Sequence, residues 1–232
     1  KINDNEFQTF FAFKINLIDH PAIELINKCI DAIQNELIIN INLAKIFISD
    51  TPYSIIPDQL FDKNNLEVLL SSTREKQNND LSKSSTLSNL NLKLLYDLPI
   101  HINDYCQEKN IELNHWLAPF LNNISENSNI DNGIIAVFIE NTISIIAFKD
   151  GKLIFLNDFK FQESVDALYY IMLVFKELHF NPEQIVLYIY GHINEESDIA
   201  NQLIRYIADV KFSNQTSLKE PALNYYSYLL KL

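Results

Sequence analysis

Ile134-Ile135-Ala136-Val137-Phe138-Ile139-Glu140, then Thr142-Ile143-Ser144-Ile145-Ile146-Ala147-Phe148, then Leu153-Ile154-Phe155-Leu156-Asn157-Asp158-Phe159-Lys160-Phe161: three apolar, β-rich runs follow one another with almost nothing between them. Runs of this length and composition read as strands. Asp150-Gly151 joins the second to the third, because glycine supplies the positive φ that a tight hairpin turn needs. The three therefore form an antiparallel meander. A helix follows, with Glu163 and Asp166 in its first turn, where carboxylates suit the helix dipole. Val165, Leu168, Tyr169, Met172, Phe175 and Leu178 form one apolar stripe, and Leu173 and Val174 widen it, so the helix is expected to be buried on most sides. Asn181-Pro182 stops it. Ile185 to Tyr190 has almost no polar residue, as in a central strand covered on both faces, and Gly191 ends it. Asn194 is the expected cap of the next helix, with Glu195, Glu196 and Asp198 in its first turn and Ile199, Leu203 and Ile207 inward. Val210 to Phe212 is a short strand, and Pro221 starts a last helix that runs to the C-terminus.

The order β-β-β-α-β-α-β-α is that of a ribonuclease-H-like unit, the unit that actin-like proteins carry in duplicate. The first half repeats part of it: a strand from Phe7 to Ile15, a helix opened by Pro21 with Ile23, Ile26, Ile30, Ile33 and Leu37 inward, and a strand from Leu43 to Ile48. The expected fold is α/β, with two ribonuclease-H-like (actin-like ATPase) subdomains, each a mixed sheet flanked by helices. The first subdomain, residues 1–130, lacks its opening hairpin in this chain, which is expected ahead of Lys1. The second is residues 131–232. Pro57 begins a short helix through Leu60. Residues 71–89 are polar and rich in Ser, Asn and Lys, and read as a mobile surface loop. Leu90 to Tyr96 is then a strand and Pro99 to Lys109 a helix.

The chain has 232 residues and a net charge of −12. That field repels phosphate backbones and anionic lipid, so nucleic acid and membrane surfaces are not expected partners. No apolar run approaches the roughly 18–20 residues that span a bilayer, which leaves a cytoplasmic protein as the expectation. Cys29 and Cys106 lie far apart and read as two buried thiols in a reducing compartment. Only three glycines are present, Gly133, Gly151 and Gly191. A phosphate-binding loop and a dinucleotide fingerprint both need closely spaced glycines, so neither motif can be assembled.

Leu156-Asn157-Asp158-Phe159-Lys160-Phe161, Asp166, Tyr169-Tyr170 and Leu187 to Gly191, together with Ile56-Pro57-Asp58-Gln59-Leu60-Phe61, resemble an uncharacterised Bacteroidetes family with an actin-like ATPase fold. The resemblance covers most of the chain. It is strongest from Asn132 to Ile207 and poor between Ser71 and Asn89. It implies the fold and kinship with pilus-assembly and secretion proteins of the actin-like group, and no established activity.

An ATPase of that fold binds nucleotide between its halves, and each half supplies a hairpin carrying Asp-x-Gly followed by Thr or Ser, whose backbone amides approach the phosphates. Here the corresponding hairpin is Phe138-Ile139-Glu140-Asn141-Thr142, with neither Asp nor Gly. Glu140 can stand in as a carboxylate, while Asn141 crowds a phosphate. The adenosine site calls for two adjacent glycines, and the chain has Gly191 followed by His192. Glu140, Thr142 and Gly191 are thus the candidate nucleotide residues, with ATP and magnesium as cofactors. The competing reading of Gly191 is a glycine that merely ends a strand. A metal nuclease of the ribonuclease H type would need converging carboxylates. Of Glu140, Asp150, Asp158 and Asp166, only Glu140 is expected at a suitable strand position. The five histidines, His20, His101, His115, His179 and His192, show no metal-ligand spacing and read as packed or solvated side chains. Tyr169-Tyr170 and the terminal Tyr225, Tyr226, Tyr228 and Leu229 are either core or contact residues. The leading expectation is a non-catalytic actin-like scaffold without cofactor that binds an unidentified protein partner. The alternatives are a divergent ATP-binding protein or weak ATPase, and a homodimer through the terminal helix.

Overall fold

The computed structural model describes residues 2–3, 6–7, 22–37, 45–49, 51–71, 80–127, 130–193 and 195–212. The chain divides into two compact units, Lys1–Asn122 and Asn123–Leu232. The division falls a few residues ahead of the boundary read from the sequence after residue 130.

In the first unit a short antiparallel pair, β1 (Ile2–Asn3) and β2 (Glu6–Phe7), precedes helix α1 (Ala22–Leu37). The remainder of the strand expected from Phe7 to Ile15 lies outside the described residues. Next come β3 (Lys45–Ile48) and β4 (Tyr53–Pro57), then a 3-10 turn at Asp58–Leu60 and α2 (Leu66–Ser71). They are followed by β5 (Asp80–Leu87), β6 (Leu92–Pro99), α3 (Ile100–Glu108), β7 (Glu112–His115) and α4 (Leu117–Asn127), within which the division between the units falls. β3 pairs in parallel with β7, while β4, β6 and β5 form an antiparallel sheet in that order.

β5 corrects the sequence reading, which had a loop over residues 71–89. Leu81, Lys83, Ser85 and Leu87 face one side and Ser82, Ser84 and Thr86 the other, the period of two that a strand needs. Serine and lysine disguise that period, and the strand is held by its apolar neighbour: Leu81 lies opposite Leu98 and Leu87 opposite Leu92. Asn91, at φ 53°, turns the chain between the two strands. Residues 72–79 lie outside the description.

The second unit contains β8 (Gly133–Ile139), β9 (Thr142–Lys149), β10 (Lys152–Lys160), α5 (Ser164–Glu177), β11 (Val186–Gly191), α6 (Asp198–Tyr206) and β12 (Val210–Phe212). Its five-stranded sheet has the order β10-β9-β8-β11-β12, with β8, β9 and β10 antiparallel and β11 parallel to both β8 and β12. The meander and the parallel crossover through α5 are those expected of a ribonuclease-H-like unit. Asp150 and Gly151 both have positive φ, 51° and 69°, as a type I′ hairpin turn requires. Ile134, Ala136, Ile143, Ile145, Ala147, Leu187 and Ile189 face α5 and α6 and are fully buried. Ile135, Val137 and Ile146, on the opposite face, are buried as completely.

The helices depart from expectation in three places. α5 ends before Asn181-Pro182: His179 takes φ 54° and the Phe180 amide donates to the Phe175 carbonyl at 2.8 Å, which closes the helix with a left-handed residue. α5 is also less buried than its apolar composition suggests, since Val165 is 53% and Tyr169 61% exposed. α6 is capped by Ser197, whose hydroxyl accepts from the Ala200 amide at 3.2 Å, so Glu195 and Glu196 precede the helix and do not form its first turn. The expected cap Asn194 and the helix expected from Pro221 lie outside the described residues, as do Tyr225, Tyr226, Tyr228 and Leu229.

Candidate functional site

Parallel pairing of β11 with β8 sets Gly191 opposite Phe138, so the end of β11 meets the turn between β8 and β9. The approach is close enough to dictate the residue. Gly191 has φ 92°, and a Cβ there would sit 2.0 Å from the Phe138 carbonyl oxygen. Only glycine fits, and the reason is the chain's own backbone. That carbonyl accepts from the His192 amide at 2.8 Å, and the Ile193 amide donates to the Gly191 carbonyl at 2.8 Å. The chain thus curls back on itself and carries the half-buried His192 ring towards the turn.

Glu140 occupies that turn at φ 53°, which corrects its expected strand position. Its backbone amide donates to Nδ1 of His192 at 3.2 Å. The bond fixes the ring: Nδ1 must be unprotonated, so the neutral imidazole carries its proton on Nε2. Burial lowers the pKa of His192, while the Glu140 carboxylate acts the other way. Burial is the larger influence, so the ring stays neutral and the bond is intact at neutral pH. The Asn141 carbonyl accepts from the Phe161 amide at 2.9 Å, and Thr142 lies opposite Lys160. The structure thus brings Glu140 and Gly191 together through His192, with Thr142 the first residue of β9. Sequence reasoning placed His192 beside Gly191 but gave it no role; the ribonuclease-H strand order, applied residue by residue, would have put it at the turn.

The carboxylates of a nuclease centre are not assembled. Glu140 and Asp150 lie at opposite ends of β9, whose eight residues span about 25 Å. Asp166 is engaged at the start of α5, where one carboxylate oxygen accepts from the Gln162 and Glu163 amides, each at 3.0 Å, which lowers its pKa. Among the described residues no group of three or more His, Cys, Asp or Glu side chains could hold a metal ion. Nor is any helix among them long and apolar enough to cross a membrane.

The first unit has its own polar centre. His115, at the end of β7, is 1% exposed. Its ring centroid lies 5.3 Å from that of Tyr53, 5.4 Å from Tyr96 and 6.4 Å from Trp116. Nδ1 accepts from the Leu117 amide at 3.3 Å, so this histidine receives the first turn of α4. Burial lowers its pKa to about 4, against a smaller opposing effect of the Thr51 backbone.

With this geometry in place, comparison with known proteins gives a consistent picture. The family model described as "Protein of unknown function (DUF3822)" matches residues 2–210. Fourteen chains of solved structures match. One is a protein with actin-like ATPase fold and unknown function from Bacteroides thetaiotaomicron, with 21% identity, a TM-score of 0.76, and 97% of this chain and 86% of that chain covered. Another belongs to a PilM-PilN type IV pilus biogenesis complex, with 9% identity, a TM-score of 0.58, and 90% and 83% of the two chains covered. None of the curated proteins matches in sequence. At such identities these structures show the fold, and the fold is actin-like.

Proposed function

We propose, from the premise that the chain belongs to the DUF3822 family of proteins of unknown function, that it is a non-catalytic actin-like protein that binds a protein partner and no nucleotide. The observation that carries this reading is the bond from the Glu140 amide to Nδ1 of His192. An actin-like ATPase turns the amides of this hairpin towards phosphate; here the Glu140 amide meets the chain's own imidazole. Two further features agree. The turn holds Glu140-Asn141 in place of Asp-x-Gly, and the lone Gly191 answers to the chain's own backbone, since the Phe138 carbonyl fills the place of a Cβ there. These features speak against ATP with magnesium at this turn.

A protein partner is the class to seek, because one chain of similar fold works within a pilus biogenesis complex and the net charge of −12 opposes nucleic acid. The proposed setting is the cytoplasm, where the buried Cys106, its pKa raised by burial, stays a thiol.

Titration calorimetry with ATP and magnesium tests the reading. No saturable heat is expected. Saturable binding in the micromolar range that is lost in Glu140→Ala would overturn it in favour of a divergent ATP-binding protein or weak ATPase using Glu140, Thr142 and Gly191.

A further inference from the structure

β10 is the last strand of its sheet, and among the described residues it has a strand on one side only. An edge strand presents unpaired backbone donors and acceptors to its free side. This edge is flanked by rings. Phe155 stacks on Phe159 with centroids 6.5 Å apart, Phe159 on Tyr170 at 4.6 Å, and Tyr170 meets Tyr169 edge-on at 5.6 Å. Tyr169 and Val165 carry the row onto the outer side of α5, where they are mostly exposed. A helix that is apolar nearly all round, with part of that surface bare, points to something that covers it.

The charges select the occupant. Lys152 and Lys160 stand exposed at the two ends of β10. Asp158 lies opposite Ser144, on the sheet face away from the ring row. A second copy is disfavoured here. Two β10 edges side by side bring four lysines against two aspartates, Asp158 of each, to one short seam. The net charge of −12 adds repulsion between copies. We propose that the free edge of β10 takes, as a sixth strand, an extended segment of a partner protein with apolar residues at alternate positions and a carboxylate at each end. Backbone bonds to the edge hold the segment, its apolar residues cover the row Phe155, Phe159, Tyr170 and Tyr169, and its carboxylates meet Lys152 and Lys160. The overall negative charge opposes an acidic segment at a distance, so the two lysines act only at contact range.

This inference rests on the partner-binding reading above. Its test uses the full chain and a short fluorescein-labelled peptide of alternating Val and Thr with Asp at both ends, compared by anisotropy with the same peptide ended by Lys. The Asp-ended peptide is expected to bind about fivefold more tightly. The double variant K152E/K160E, altered only at exposed positions, is expected to reverse that preference, and Tyr169→Ala to weaken both peptides. Three results would overturn the proposal: no binding of either peptide at millimolar concentration, a preference that survives the charge reversal, or a dimer of the wild-type chain that Tyr169→Asp dissolves, which would assign the face to a second copy. Nucleotide calorimetry reads none of these residues, so a failure here and a failure of the non-catalytic reading are separate results.

Discussion

His115 was legible in the sequence only as a histidine without metal-ligand spacing. What makes it distinctive is burial among Tyr53, Tyr96 and Trp116, contributed by two separate strands and the turn after β7. Its folded pKa of about 4 lies below the ordinary 6.5, so between those values the unfolded chain binds a proton that the folded chain refuses. His115 therefore favours the folded state fully above about pH 6.5, and that contribution, roughly 3 kcal/mol, is lost as pH falls towards 4. Urea unfolding followed by the fluorescence of Trp116, the sole tryptophan, should show a lower midpoint at pH 4.5 than at pH 7. His115→Gln should flatten the difference. An unchanged midpoint in the wild type would show that the ring accepts its proton without strain. Gly191 was legible as a strand-ending glycine, but the stronger reason for it, the Phe138 carbonyl 2.0 Å from where a Cβ would stand, needs the register of two strands far apart in sequence. Gly191→Ala should cost about 2–4 kcal/mol, read as a lower urea midpoint by circular dichroism. A cost near zero would mean that the end of β11 can shift without loss.

Among elements, those that advertise themselves by hydrophobic period were read correctly: β8, β9, β10, β11 and the presence of a helix between β10 and β11. β5 was missed, because its polar residues resemble loop composition and its pairing energy comes from β6. Composition describes a segment alone, whereas a half-buried strand is defined by its neighbour. Hydrogen exchange separates the two descriptions. The amides of residues 80–87 that bond to β6 should be protected, and exchange as fast as in a free peptide would restore the loop. α5 shows the opposite error. Its sequence promised burial on most sides, and the bare side holding Val165 and Tyr169 appears only once the fold is built.

For the whole molecule, fold and family were within reach of the sequence, since the three runs from Ile134 to Phe161 and the crossover after them suffice for the actin-like unit. The candidate site was half legible. The absence of Asp-x-Gly could be read directly, but the imidazole against the turn could not, because Glu140 and His192 are joined only by the parallel pairing of β8 and β11.

That pairing also orders events in time. The turns at Glu140-Asn141 and Asp150-Gly151 let β8, β9 and β10 zip together from local contacts, whereas β11 must wait for α5 to form and cross back, a closure of some fifty residues. The seam between Gly191 and Phe138 is therefore a late stitch in folding. A lesion there should leave the refolding rate nearly untouched and appear as faster unfolding, so the turn is locked last and is among the first places to come open.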